Sequence, residues 1–321
     1  MILEVKNLVT SYEIQKKWTP IVSDVSFDIG EGKVVGLVGE SGCGKSVTSL
    51  SIMGLLPKPY GKVASGEILL EGVDLTKLSE PEMQRIRGNK ISMIFQEPMT
   101  SLNPVLTIGF QVGEVLTRHL GISHQKAKPQ VLELLRKVEL PNIERLYSEY
   151  PHQLSGGMRQ RVMIALALAL GPKLLIADEP TTALDVTIQA QVLELMKKLT
   201  QEQEMSMLLI THDLGVIAEM TQEVIVMYAG KIVEKGLCRD IFNRPRHPYT
   251  VGLMKSRPGL LDKSESLQFI KGMVPKITDL PEGCTFAPRC DYAQACCTQD
   301  MPGLTGIDDG HFVRCHFPID G

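Results

Sequence analysis

Apolar and polar residues alternate from Ile2 to Val9 and again from Ser23 to Ile29, the period of a strand with one covered face. Val34 to Val38 is apolar throughout, as expected of a parallel strand buried on both sides. A helix is predicted to start after Gly44 and to end near Gly54, ahead of Pro57 and Pro59. Gly66–Leu70 and Ile91–Phe95 read as short strands. From Pro98 to Tyr150 the period turns helical, with helices predicted over Ile108–Leu120 and Gln130–Leu140. Helix and strand then alternate: helices over Gly156–Leu170, Val186–Gln201 and Leu214–Met220, and strands over Lys173–Ala177, Met205–Ile210 and Glu223–Tyr228. This alternation predicts an α/β fold, a parallel sheet covered by helices, with a helical subdomain inserted over about residues 97–160. After about Gly236 prolines become frequent and the periodicity fades. A boundary is placed there, giving a domain over 1–235 and a small Cys-rich accessory domain over 236–321.

A length of 321 residues agrees with two domains at roughly 150 residues each. Hydrophobic residues at 43% and charged residues at 22% supply a core. The net charge of -3 argues against broad binding of nucleic acid, which needs a basic face. Met1–Thr10 carries Glu4 and Lys6 and reads as a strand rather than a signal peptide. The longest apolar stretch, Val162–Leu170, falls short of the roughly 20 residues a membrane span needs. A soluble chain is expected, with any membrane role supplied by a partner subunit.

Gly39-Glu40-Ser41-Gly42-Cys43-Gly44-Lys45-Ser46 follows the buried strand and opens a helix, the context in which G-x-x-x-x-G-K-S cradles phosphate. The glycines let backbone N–H groups turn onto phosphate oxygens, and the helix N-terminus adds positive potential. Lys45 is expected to reach the terminal phosphates of ATP and Ser46 to ligate Mg²⁺. Cys43 occupies a variable position of the loop, and Val47 closes the predicted nucleotide-binding stretch. Leu174–Glu179 is an apolar strand ending in two carboxylates. Asp178 suits the Mg²⁺ shell, and Glu179 suits acceptance of a proton from attacking water. Leu154-Ser155-Gly156-Gly157-Met158 precedes a helix and makes either a second anion site or an ordinary cap with Ser155 at its head.

Together these motifs, in this order, resemble the ATP-binding cassette (ABC) ATPases over roughly residues 1–235, whose P-loop domain has a RecA-like core and an inserted helical subdomain. The resemblance implies that Tyr12 stacks on adenine and that Gln96 contacts Mg²⁺ and the attacking water. It implies that Ser155 and Gly157 grip the γ-phosphate of ATP held by an opposite subunit, so a homo- or heterodimer is expected. Asp185 would lie at the dimer interface, and His212 would hold the γ-phosphate and position Glu179. Each has an ordinary reading as well: Tyr12 a strand-end aromatic, Gln96 a loop residue, Asp185 an N-cap, His212 a turn histidine. Met158 stands where the family usually has Gln, which leaves the Ser-Gly-Gly anion site intact.

Phe95–Pro104, Tyr150–Leu154, Arg246-His247-Pro248-Tyr249-Thr250 and Gly283–Cys290 are similar to segments of the ATPase subunits of dipeptide, oligopeptide or nickel importers. That likeness implies transmembrane permease partners docking beside Gln96 and the helical subdomain, and a place on the cytoplasmic face of the membrane. An extracytoplasmic peptide-binding protein would be engaged only indirectly. Of seven cysteines, Cys284, Cys290, Cys296, Cys297 and Cys315 crowd the C-terminal end. Without a secretion signal, metal is a stronger reading than disulfides. Cys284, Cys290, Cys297 and Cys315, spaced C-x5-C-x6-C-x17-C, suit a [4Fe–4S] cluster or Zn²⁺, or are free buried thiols. No short knuckle typical of structural zinc occurs, and the likeness points to the cluster, with Cys296 the spare.

Overall fold

A computed structural model describes residues 1–96, 101–182, 184–256 and 270–319. Among them, one sheet is antiparallel, in the order β2-β1-β4-β5: β1 Leu3–Ile14, β2 Lys17–Ile29, β4 Gly61–Leu70, β5 Val73–Asp74. The larger sheet runs β11-β12-β10-β9-β3-β8-β7-β6. Its strands are β3 Val34–Val38, β6 Ile91–Ile94, β7 Leu174–Asp178, β8 Ser206–Ile210, β9 Glu223–Tyr228, β10 Lys231–Leu237, β11 Thr305–Asp308 and β12 His311–Val313. From β9 through β3, β8 and β7 to β6 every pairing is parallel.

The apolar runs of the central strands follow from burial on both faces. Val34 and Val38 of β3, Leu175 and Ala177 of β7, and Met207 and Leu209 of β8 enter a core shared with the helices. Their neighbours Val35, Leu37, Leu174, Ile176, Leu208 and Ile210 enter a second core under the small sheet and the helix Lys45–Met53. That helix ends at Gly54, which is left-handed at φ 61°.

The inserted helical region holds Ile108–Leu120, His124–Lys137 and Ile143–Leu146, capped at the first two N-termini by Thr107 and Ser123. The second of these starts earlier than the 130–140 expected. Pro129 does not break it, because Ala127, Val131 and Leu135 bury one helical stripe across that position. The helix Gly156–Ala167 stops three residues before the expected Leu170. Residues 97–100 of the importer-like segment, the first part of the expected subdomain, and Ala183 lie outside the described residues.

The boundary expected after residue 235 falls inside β10. Antiparallel β12 pairs with β10 through Glu234↔Val313, so the tail adds strands to the main sheet. Tyr249, Cys284, Phe286, Ala287 and Cys297 belong to the same core as the helices. None of the described helices is long and apolar enough to cross a membrane.

Candidate functional site

The phosphate-type loop joins β3 to the helix Lys45–Met53. Gly39 has φ 153°, and a Cβ there would lie 2.3 Å from the Met227 carbonyl oxygen, so only glycine leaves β3 this way. The Lys45 ammonium is buried inside the turn, donating to the carbonyls of Gly39 at 2.7 Å and Glu40 at 3.1 Å. Gly44 heads the helix in a left-handed conformation at φ 109°. Ser41, Gly42 and Ser46 face solvent, Val47 is half-buried, and Cys43 is buried beneath the loop, where burial pushes its thiol pKa up.

Adjacent strand ends bring the carboxylates to this loop. Asp178, the last residue of β7, is 3% exposed, and its Oδ1 has no hydrogen-bond partner. Burial pushes its pKa above the ordinary aspartate range and the charge of Glu179 adds to this, while Ser46, Lys45 and Ser49 pull the other way. An orphaned buried carboxylate oxygen beside a serine hydroxyl is a donor set that fits a hard cation such as Mg²⁺. Glu179 follows with a left-handed backbone, φ 49°, unusual outside glycine, held by its N–H donating to the Ile210 carbonyl at 2.8 Å. Thr182 donates to Glu179 Oε2 at 2.7 Å, and His212 Nδ1 lies 3.1 Å from Oε1. Burial works to raise the Glu179 pKa, but the bonds from Thr182 and His212 outweigh it and hold the carboxyl below the ordinary glutamate range. Gln96 is exposed just beyond β6, next to the end of β7.

Ser155 is exposed and caps its helix, accepting from the Met158 N–H at 3.3 Å. Asp185, also exposed, caps the helix Val186–Glu202 by accepting from the Ile188 N–H at 2.9 Å. The two helix starts touch: a Cβ on Gly157 would lie 2.7 Å from Ile188 Cγ2. Beside Asp185, Val186 leaves 84% of its surface in solvent. Tyr12 is half-buried in β1 opposite Thr19 and Gly61, and a Cβ on Gly61 would come within 2.9 Å of its ring. Thr182, which holds Glu179 Oε2, carries no motif signal in the sequence.

Cys284, Cys290, Cys297 and Cys315 line one pocket, together with Phe286, Tyr292 and Phe317, and Cys296 is not among the lining residues. Burial raises the thiol pKa values of Cys284 and Cys290, and that of Cys315 to about 11. All seven cysteines are unbridged. Among the described residues, no group of three or more His, Cys, Asp or Glu is arranged to hold a metal ion.

A family profile described as "ABC transporter" matches residues 22–182, and one described as "Oligopeptide/dipeptide transporter, C-terminal region" matches residues 233–297. The chain is 55% identical over 314 residues to the oligopeptide transport ATP-binding protein AppD of Bacillus subtilis, covering 98% of this chain and 96% of that one. It is 51% identical to the dipeptide transport ATP-binding protein DppD of the same organism, covering 98% and 94%. Among solved structures, the dimer of a bacterial ABC transporter cassette superposes with a TM-score of 0.66 at 31% identity, over 74% of this chain and 99% of that one.

Proposed function

The chain belongs to the ABC transporter ATPases, within their peptide-import branch, and from that premise we propose that it hydrolyses ATP at the loop Gly39–Ser46 to power peptide import through permease subunits. The observation that carries the reading is the meeting of Lys45, Ser46, Asp178 and the Glu179–His212 pair at the ends of the adjacent parallel strands β3, β8 and β7. Both relatives above are named for peptide transport, which favours peptide over nickel.

The residues divide the work. The loop N–H groups and Lys45 bind the β- and γ-phosphates, and Tyr12 stacks on the adenine. Ser46, Asp178 and Gln96 would hold Mg²⁺, which when bound neutralises charge developing on the phosphate oxygens. Glu179 is ionised at neutral pH, and its Oε1–His212 and Oε2–Thr182 contacts fix it to take the proton of the attacking water. Ser155, Gly157 and Asp185 lie on an exposed edge of this chain. We read that edge as the surface that completes the nucleotide site of a second ATPase subunit, with exposed Val186 beside it. Nucleotide then closes the dimer, and hydrolysis with release reopens it.

Residues 236–321 we read as an accessory region whose pocket takes a [4Fe–4S] cluster on Cys284, Cys290, Cys297 and Cys315. The support is that the four thiols chosen by spacing converge on one pocket and the spare Cys296 does not. The cytoplasmic membrane face and an extracytoplasmic peptide-binding protein complete the importer reading. Affinity purification of the full chain from membranes tests it: permease subunits should co-purify and peptide should stimulate uptake that depends on Lys45. Recovery with no permease partner overturns the transporter role.

A further inference from the structure

Two C-terminal segments that the ATP chemistry leaves unused, Arg246–Thr250 and Gly283–Cys290, end on the same residue of the phosphate loop. The Glu40 N–H donates to the Tyr249 hydroxyl at 2.8 Å. The Arg289 guanidinium donates from one terminal nitrogen to Glu40 Oε2 at 2.7 Å and from the other to Oε1 at 3.1 Å, a two-pronged ion pair spanning 249 positions of sequence. The Arg289 side chain is only 5% exposed. It lies over the rings of Tyr228 and Phe286, and the Tyr228, Tyr249 and Phe286 rings pack on one another at 4.7–5.4 Å. Phe286 also lines the cysteine pocket, and Arg289 directly precedes Cys290.

Glu40 is thereby held at its N–H and at both carboxylate oxygens. Its carbonyl accepts from Lys45 Nζ at 3.1 Å and from the Cys43 N–H at 3.2 Å. Turning the Glu40 peptide would move the carbonyl that aims Lys45. A planar guanidinium on a carboxylate fixes orientation as well as charge, which an ammonium does not. A loop held in its working shape before ligand arrives spares the ordering that would otherwise oppose binding.

We propose that Arg289 and Tyr249 are positioning residues for the phosphate loop, so that the C-terminal segment sets the ATP affinity of the site through Glu40. The inference rests on the reading of Gly39–Ser46 as the nucleotide site and touches no phosphate itself. The test uses the full chain with Glu179→Gln to stop turnover, titrated with a fluorescent ATP analogue and Mg²⁺, alongside melting without nucleotide. Tyr249→Phe should raise Kd about threefold, the worth of one neutral hydrogen bond, and Arg289→Lys about tenfold. Melting without nucleotide should stay near that of the parent. With Glu179 intact, both changes should raise KM for ATP and leave kcat within about twofold. Arg289→Met removes the charge outright; should it fail to fold, the two milder variants decide. Unchanged ATP affinity in both of them, with Lys45→Ala strongly weakened, overturns the positioning role alone. Unchanged affinity in Lys45→Ala overturns the nucleotide site and this inference with it.

Discussion

His212 Nδ1 lies 3.1 Å from Glu179 Oε1, although the two side chains leave different strands. The register explains it. Asp178 of β7 pairs with Ile210 of β8, so Glu179, one residue beyond β7, and His212, two residues beyond β8, leave neighbouring strand ends. Thr182 holds the other oxygen, leaving an ionised carboxylate with a fixed orientation. Glu179→Gln keeps that shape and removes the basicity, so turnover should fall by about a thousandfold while ATP still binds. The arrested protein should elute as a dimer with ATP and Mg²⁺ on size exclusion. Normal turnover in this variant means Glu179 is not the base.

Asp178 presents the opposite economy. Its carboxylate is buried and one oxygen has no partner, a cost in the nucleotide-free protein that a bound cation would relieve. Asp178→Asn should therefore raise the nucleotide-free melting temperature by about 2 °C while removing Mg²⁺-dependent ATPase activity. Mg²⁺-dependent turnover retained in Asp178→Asn would exclude this residue from the cation shell.

Gly157 carries a packing constraint apart from any contact with nucleotide. A methyl group there would press on Ile188 Cγ2, separating the helix starts that carry Ser155 and Asp185. Gly157→Ala should lower ATPase activity by at least about tenfold and leave nucleotide binding to the chain's own loop unchanged. Adding Ile188→Ala should restore part of the activity if the fault is steric.

Much of this site is legible in the chain because its parts are local. β3, the loop and the helix to Gly54 follow from a continuous apolar run, spaced glycines and a left-handed stop within 21 residues of each other, and β7 with its terminal carboxylates reads in the same way. The C-terminal region does not read so easily. β12 is only three residues long, and it joins the main sheet by pairing with a strand more than 70 positions earlier. The grip of Arg289 on Glu40 leaves no local pattern, since the two residues lie 249 positions apart in sequence. Pro129 shows the converse, a strong local signal overridden by burial of Ala127, Val131 and Leu135 around it.

His247 ties pH to the C-terminal region. Its Nδ1 accepts the Tyr249 N–H at 3.0 Å and caps the helix Pro248–Lys255, which only the neutral ring can do. Burial lowers its pKa to about 4, against the pull of Glu234. The unfolded chain takes up a proton near the ordinary value of about 6.5 that the folded chain refuses, so stability is full above that pH and falls as pH drops toward 4. Between pH 6.5 and 5 the loss should be about 2 kcal/mol, measured by denaturant titration. His247→Asn keeps a capping acceptor without the titration and should flatten this slope; an unchanged slope would assign the acid sensitivity elsewhere.

The cysteine pocket distinguishes its candidate occupants by stoichiometry and by which thiol matters. Zinc draws four sulfurs to about 2.3 Å from one point, whereas a [4Fe–4S] cluster spreads its four thiolates around a larger body. Among the described residues the four thiols line one shared pocket, and no group of three or more His, Cys, Asp or Glu is arranged to hold a metal ion. Full chain purified without oxygen should carry about four iron and four sulfide, with visible absorption that bleaches on reduction. Cys297→Ser should lose the iron and Cys296→Ser should keep it, although the two residues are neighbours, because only Cys297 lines the pocket. Because metal ligation would tie together a loop-rich segment, the iron-free Cys297→Ser chain should also become more sensitive to proteolysis within residues 270–319. Zinc alone in the wild-type chain, or equal iron in both variants, would overturn the cluster.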